Sequence, residues 1–567
     1  MFYRSLTDEQ TLRVRRARPV MALAAVAFAI GAILGANSGP SPAGALAAKF
    51  VAAWAKSAYG EAMRTATATS LRVTGKPKTA AGGVVLVPVT VRTRLFGTLA
   101  LSARVHIVHE AEGGDAIAWS RSLAFPGVDP GETLSRRTTL PPRARLLARD
   151  GSVLAEGSAT DSGPRTSPLG ESAGTLIGEV GPIPASRRAA LEAQGVPADA
   201  IVGTSGLERA LDDRLRGTPG GELLAGRRLL ASAAPHAEHS VRTSVSPAVQ
   251  RAAVSALGSQ LGGIVALQPA TGQILAVAGI GTDSVQPPGS TFKMITLTGV
   301  LAAHLATPHT VFPYATYATL DGVKLSNANG EECGGSLELS FAVSCNSVFA
   351  PLGAKLGAPR LVAMAERFGF NHDPGIEGAA ESTLPAAGAI QGELDVGSTA
   401  IGQGQVQASA LQMAIVAATI ADGGRRPRPT FTPPQAPLSG TAVVSAAVAR
   451  TVRRLMIGVV RNGTGTSAAI SGVTVAGKTG TAELKTQCSS ESGAEAESGE
   501  NTQESSASGC VGADSEASNT DAWFAAFAPA LKPRIAVAVL LVKDGAGGDT
   551  AAPVAREVLE AGLQASR

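Results

Sequence analysis

Pro287-Pro288-Gly289-Ser290-Thr291-Phe292-Lys293 contains the only serine of this 567-residue chain that stands three residues before a lysine. The Pro-Pro-Gly run breaks the chain direction ahead of a helix, so Ser290 is expected in a first helical turn. Residues three apart share a helix face, and the Lys293 amine can therefore approach the Ser290 oxygen. A serine hydroxyl is a poor nucleophile until a neighbouring base takes its proton. The heptapeptide thus supplies a nucleophile, a candidate base, and a helix N-terminus that favours negative charge.

The flanking sequence sets this turn in a domain. Pro247 to Leu261 has helical spacing and leads into Gly263-Ile264-Val265-Ala266-Leu267, a Thr271-Gly272 turn, and Ile274-Leu275-Ala276-Val277-Ala278. That is a hairpin of two buried strands. Mostly helical patterns follow to about residue 460. The chain closes with expected strands at 472–484, 521–528 and 533–543 and a helix from 551. A sheet drawn from both ends of a segment, with helices between, reads as an α+β catalytic domain. Between Leu484 and Asp521, seven acidic residues stand against one lysine in a Ser- and Gly-rich tract. Its composition predicts a disordered acidic insertion over 485–520. It reads as a surface insertion; because it joins directly to the strand bearing Lys478, shielding of the cleft and partner binding are the alternatives.

Three further motifs follow Ser290 in order. Ser344-Cys345-Asn346 falls where a helix gives way to a loop, Gly402-Gln403-Gly404 in a loop before a helix from Ser409, and Lys478-Thr479-Gly480-Thr481 on a strand starting near Val473. A second lysine near the first matters chemically. A free lysine has a pKa near 10.4 and needs lowering by about three units to act as a base near neutrality. Burial and a neighbouring cation both push that way.

The rest of the chain bounds the answer. Its length suggests about three or four domains, and a 44% apolar share suffices for their cores. Net charge is only +4, with much of the excess at the N-terminus, which argues against a nucleic-acid surface. Residues Pro19 to Ala36 form an uncharged apolar run preceded by Arg13, Arg15, Arg16 and Arg18. It reads as a retained transmembrane anchor (19–36) with a cytoplasmic tail (1–18), rather than a signal peptide, whose apolar region is shorter. A Ser/Pro/Gly tether (37–44) follows. Residues 45–66 have helical spacing. Residues 83–124 alternate as strands, as in Val84-Val85-Leu86-Val87-Pro88-Val89-Thr90-Val91, which fits a small α+β domain. A second segment opens near Pro141, and residues 186–216 look helical. Four cysteines in an exported chain allow three pairings; proximity suggests Cys488–Cys510 and leaves Cys333–Cys345 open. No cysteine spacing is of the short zinc-binding type. His236 and His239 have no obvious third ligand, so no metal or cofactor is expected.

With its motifs in this order, the chain resembles the penicillin-recognising serine enzymes, in which Ser-x-x-Lys is paired with a Ser-x-Asn-type motif and Lys-Thr-Gly. The Ser-Cys-Asn form looks like high-molecular-weight penicillin-binding proteins. Gly203-Thr204-Ser205-Gly206-Leu207-Glu208 and Leu215-Arg216-Gly217-Thr218-Pro219-Gly220 look like the family's pedestal. Trp119 to Leu134 resembles the join to an NTF2-like domain. The family's arginine-glycine pedestal start is altered here to Pro142-Arg143-Ala144-Arg145. No glycosyltransferase-length domain lies ahead, so the resemblance implies the class B, transpeptidase-only type. The implied fold is multidomain α+β: an NTF2-like domain (45–140), a pedestal or dimerisation domain (141–240), and a transpeptidase domain (241–567) with a central antiparallel sheet flanked by helices.

The resemblance also implies roles. Ser290 attacks the penultimate D-alanine carbonyl of a peptidoglycan stem peptide, Lys293 accepts its proton, and Ser344 relays it to the leaving amine. Asn346 binds the substrate backbone, Lys478 and Thr479 bind its terminal carboxylate, and Gly480 lets the substrate lie close along the strand. The N–H groups of Ser290 and Thr481 form the oxyanion hole. β-Lactams are implied as covalent inhibitors, and a membrane-embedded glycosyltransferase with other wall-synthesis proteins as partners. The competing functions are a class D-like β-lactamase, a β-lactam sensor and a non-catalytic wall-synthesis scaffold.

Overall fold

The computed structural model describes residues 42–57, 60–109, 114–118, 120–157, 163–433, 440–484 and 519–565. The expected anchor at 19–36, Trp119, and most of the acidic insertion with Cys488 and Cys510 lie outside the described residues. Among the described residues no helix is long and apolar enough to cross a membrane. The chain divides into two compact units. The first comprises Met1–Ala144, Pro182–Val202 and Asp213–Glu238; the second comprises Arg145–Gly181, Gly203–Asp212 and His239–Arg567. The segment 141–240 is therefore shared between the two units rather than standing as a third.

In the first unit a helix, Pro42–Ser57, packs on an antiparallel sheet of five strands. Its central strand Val84–Thr93 shows the alternation expected of a half-buried strand: Val85, Val87, Val89 and Val91 point into the core. Strands Ala68–Val73 and Lys78–Thr79, not anticipated from the sequence, add to it. A three-stranded sheet of Leu134–Thr139, Gly220–Ala225 and Arg228–Ala233 shares the same apolar core through Leu223 and Ala225.

The expected helix over 186–216 is broken. A helix runs over Ala185–Ala193, and Gly195 and Pro197 then end the periodicity. Ile201–Gly203 is a strand, and two short helices, Gly206–Ala210 and Asp212–Arg216, follow it. In the second unit the Glu208 carboxylate lies fully buried against Arg165, whose NH2 is 2.7 Å from Oε1.

The second unit is built on helix α1 (Pro247–Leu257), strands β1 (Gly262–Leu267) and β2 (Ile274–Gly279), and helix α2 (Lys293–Ala302). Helices α3 (Leu337–Ala342), α4 (Asn346–Leu356), α5 (Ala358–Phe368), α6 (Gly392–Ala400), α7 (Ala410–Ala421) and α8 (Ala446–Asn462) follow. The chain ends on β3 (Ala476–Glu483), β4 (Thr520–Ala528), β5 (Ile535–Leu541) and α9 (Ala551–Ala565). The sheet order is β2-β1-β5-β4-β3, antiparallel throughout. Helices α1 and α9 pack against strands of the sheet, and α7 packs on β1, β4 and β5. Coverage of this kind explains why β5, and β4 from Ala522 onward, read as unbroken apolar runs and why every residue of both strands is buried.

The mostly helical stretch expected to about residue 460 is interrupted by strands. Val311–Ala315 pairs with Cys333–Ser336, and Tyr317–Leu320 with Val323–Ser326. The second pair closes on Asp321-Gly322, both at positive φ (48° and 81°), a two-residue hairpin turn.

Candidate active site

Ser290 lies in a 3-10 turn, Gly289–Phe292, that runs directly into α2. The turn is held from two sides. The Gly289 N–H donates to the Gly402 carbonyl at 3.0 Å, and a Cβ on Gly402 would collide with the Gly289 carbonyl oxygen. A Cβ on Gly289 would stand 2.7 Å from the Thr481 carbonyl oxygen. The Gly402-Gln403-Gly404 loop thus backs the Ser290 turn, and β3 closes its other side. Phe292 anchors the turn in the core, edge-on to Phe370 with ring centroids 5.5 Å apart.

Ser290 is half-buried, and among the described residues its hydroxyl forms no hydrogen bond. The expected Ser290–Lys293 contact is replaced by contacts to the second motif. Lys293 Nζ donates to the Ser344 carbonyl at 2.7 Å and to Asn346 Oδ1 at 2.6 Å, with Ser344 Oγ at 3.4 Å. Those two close acceptors use both N–H donors of a neutral amine and leave its lone pair for a hydroxyl proton. Hydrogen bonds of catalytic groups often tighten only when substrate is bound.

Ser344 sits between α3 and α4 at φ +63°, a left-handed conformation that costs energy in a non-glycine residue. The bend turns its hydroxyl toward both lysines: Lys478 Nζ donates to Ser344 Oγ at 2.8 Å and Lys293 Nζ lies 3.4 Å from it. Asn346 opens α4 and donates from Nδ2 to the Ser326 carbonyl at 2.9 Å, which fixes its Oδ1 toward Lys293. Cys345, between them, is bonded to Cys333, so the open pairing is formed.

β3 is an edge strand of the sheet, and the Ser290 turn packs against it. An edge of this kind offers backbone groups to an extended peptide. Lys478 is fully buried and also donates to the Thr479 carbonyl at 3.0 Å. Thr479 Oγ1 lies 2.5 Å from Thr464 Oγ1, and Thr481 Oγ1 accepts from the Gly547 N–H at 3.3 Å. Gly480 is tightly enclosed by protein. A Cβ there would meet the Pro288 carbonyl oxygen at 2.8 Å, Thr291 Cγ2 at 2.9 Å and Trp523 Cβ at 2.9 Å. Packing of β3 on the Ser290 turn and on Trp523 of β4 therefore also excludes a side chain here.

Burial pushes the Lys478 amine down to about 7. Lys293 is driven well below the ordinary lysine value, first by burial and then by the Lys478 charge. Each amine also lies near an aromatic face, Lys293 5.8 Å from the Phe349 centroid and Lys478 5.6 Å from that of Phe341. The constellation can hold one lysine neutral beside a second cation, with Ser344 Oγ touching both. That is the arrangement a proton relay needs.

Several contributors escaped the sequence reading. Asn327 donates from Nδ2 to the carbonyls of Ala315 (2.7 Å) and Glu331 (2.8 Å) and accepts the Ser347 N–H at 2.8 Å, tying the start of α4 to the hairpins before it. Thr464 and Ser326 contribute as described above. None of the three lies in a motif, so only the fold identifies them.

Residues 262–560 match the model of the penicillin binding protein transpeptidase domain, and residues 158–227 match that of the penicillin-binding protein dimerisation domain. The peptidoglycan D,D-transpeptidase PbpA of Mycolicibacterium smegmatis is 34% identical over 428 residues, covering 64% of this chain and 80% of that protein. The crystal structure of PBPA from Mycobacterium tuberculosis is similar over 75% of this chain and 99% of its own, at 28% identity and a TM-score of 0.55. A ceftriaxone acyl-enzyme complex of penicillin-binding protein A from M. tuberculosis is similar over the same share, with 98% of its own chain covered, 28% identity and a TM-score of 0.56.

Proposed function

The chain belongs to the penicillin-binding protein transpeptidase family, and we propose that its peptidoglycan D,D-transpeptidase reaction runs through Ser290 as the nucleophile. The observation that supports this is the convergence of Lys293 and Lys478 on Ser344 Oγ, beside the turn that presents Ser290. Lys293 takes the Ser290 proton as the oxygen attacks the penultimate D-alanine carbonyl of a stem peptide. The N–H groups of Ser290 and Thr481 receive the developing oxyanion. Ser344 passes the proton to the departing terminal D-alanine. Lys478 and Thr479 hold the terminal carboxylate, and Asn346 the peptide backbone. An amine from a neighbouring stem peptide then attacks the acyl-enzyme and regenerates Ser290, leaving a cross-link. A β-lactam enters the same path and stops at the acyl-enzyme.

The helix and sheet of the first unit support an NTF2-like assignment for 45–140, and 141–240 acts as the pedestal around the dimerisation-domain match. The apolar run 19–36 anchors the chain in the cell membrane with its bulk outside, where a membrane-embedded glycosyltransferase supplies the glycan strands.

Intact-protein mass spectrometry after penicillin exposure tests the nucleophile. One adduct should map to the peptide containing Ser290 and be absent in Ser290→Ala. Labelling that persists in that variant removes the assignment. A long-lived adduct also separates the transpeptidase from a β-lactamase, which must release it by hydrolysis.

A further inference from the structure

The segment 542–550, between β5 and α9, is laid over β3 and β4 and tied to them along its length. Asp521 of β4 is fully buried, and its Oδ1 accepts the Lys543 N–H at 2.9 Å. Its Oδ2 has no hydrogen-bond partner among the described residues, so this loop is what the carboxylate holds. Lys543 has φ +56°, a left-handed conformation that costs energy in a non-glycine residue, and the Asp521 bond fastens it there. Thr520 takes part twice. Its carbonyl accepts the Asp544 N–H at 3.1 Å, and its Oγ1 donates to the Gly545 carbonyl at 3.1 Å. Further along, the Gly547 N–H reaches Thr481 Oγ1.

Gly547 bears on one peptide of β3. A Cβ there would collide with the carbonyl oxygens of Gly480 and Trp523, which stand opposite each other in the β3–β4 register, and would lie 3.0 Å from the Trp523 nitrogen. The Gly480 carbonyl therefore faces β4, with Gly547 packed on it. In a trans peptide the C=O and N–H point to opposite sides, so the Thr481 N–H points to the free edge of β3. The Ser290 turn lies on that side, since a Cβ on Gly289 would stand 2.7 Å from the Thr481 carbonyl oxygen. An oxyanion donor is effective when its direction is fixed before the reaction begins. The loop fixes it from behind, at the carbonyl end of the same peptide.

We propose that Asp521 and Gly547 are positioning residues for acylation: Asp521 anchors the 542–550 loop, and Gly547 braces the Gly480–Thr481 peptide so that its N–H is aimed at the developing oxyanion. This rests on the reading of Ser290 as nucleophile and of the Thr481 N–H as an oxyanion donor. Neither residue lies in a motif, and neither touches the bound substrate in this scheme. Their effect falls on the step in which negative charge develops, not on the binding that precedes it.

Stopped-flow acylation of the full chain by nitrocefin, over a range of concentrations, separates the non-covalent dissociation constant from the limiting acylation rate. Asp521→Ala should lower the limiting rate about tenfold and leave the dissociation constant within about twofold. Asp521→Asn keeps an acceptor for the Lys543 N–H and should restore the rate to within about threefold of wild type. Gly547→Ala should lower the rate about a hundredfold. Thr520→Val, which removes only the bond to the Gly545 carbonyl, should lower it about threefold and keeps the test decisive if the alanine variants fail to fold. An unchanged limiting rate in the folded variants, a loss carried by the dissociation constant, or Asp521→Asn as slow as Asp521→Ala overturns the proposal. Wild-type protein that forms no adduct at Ser290 instead defeats the reading of the nucleophile, so the two failures are distinguishable.

Discussion

Lys293 and Lys478 are both fully buried, and the proposed acyl transfer assigns them different protonation states. Acylation requires neutral Lys293, so the rate rises as pH passes that group's folded pKa. Carboxylate binding requires charged Lys478, so it falls as pH rises through about 7. The second-order rate of penicillin acylation should therefore be bell-shaped, with limbs that belong to the coupled pair. Lys478→Ala removes the cation that lowers Lys293. Its rising limb should move to higher pH, and an unmoved limb would exclude that coupling. Stability follows the same linkage. The unfolded state holds the Lys478 proton up to about 10.4, while the folded state releases it near 7. Between these values the unfolded chain binds more protons, so folded stability increases with pH and the penalty is complete below 7. Relative to Lys478→Met, the wild type should gain about 1.4 kcal/mol per pH unit between 7.5 and 9.5. Urea denaturation at several pH values measures this, and parallel curves would contradict it.

The elements around Ser344 are fastened at points that make further predictions. The Cys333–Cys345 bond ties the strand Cys333–Ser336 to the residue between Ser344 and Asn346. Replacing both cysteines by serine should cost about 2–4 kcal/mol in denaturation. Acylation should slow as well, because the left-handed Ser344 loses an adjacent anchor; an unchanged rate would mean the hairpins alone hold it. Asn327→Ala leaves the Ser347 N–H without its acceptor, and should cost about 1–3 kcal/mol and slow acylation in the same assay. The hairpin that bears Asp321-Gly322 shows how much was legible at this scale. Its turn dipeptide is a strong local signal, yet the surrounding residues read as helical until the fold pairs them. The strands β1, β4 and β5, by contrast, lie within about two residues of their expected bounds, because largely apolar runs of that length encode buried strands directly, whereas β3, which carries Lys478 and two threonines, starts about four residues later than expected.

Across the whole molecule, the buried Arg165–Glu208 pair joins segments 43 residues apart within the second unit. Arg165→Ala removes the cation facing the buried Glu208 carboxylate and should destabilise that unit by about 3–5 kcal/mol, whereas Arg165→Met with Glu208→Leu should cost less. Thermal unfolding of the three proteins separates the outcomes; equal losses would show that the charges themselves are not what matters. Deleting residues 489–509 from the acidic insertion should leave the acylation rate within about twofold if the tract is a surface insertion, and a larger change would establish gating. By itself the sequence determined the motifs, their order, and the α+β plan of the transpeptidase domain. Those follow from short spacings and apolar runs, which act through local backbone geometry. Only the tertiary structure decided that Lys293 rests on Ser344 and Asn346 rather than on Ser290, that Gly480 makes room for the Ser290 turn, and that 141–240 is shared between two units. These depend on contacts between residues some 50 to 190 positions apart. Such contacts are settled by the summed packing of many side chains, which no local pattern records.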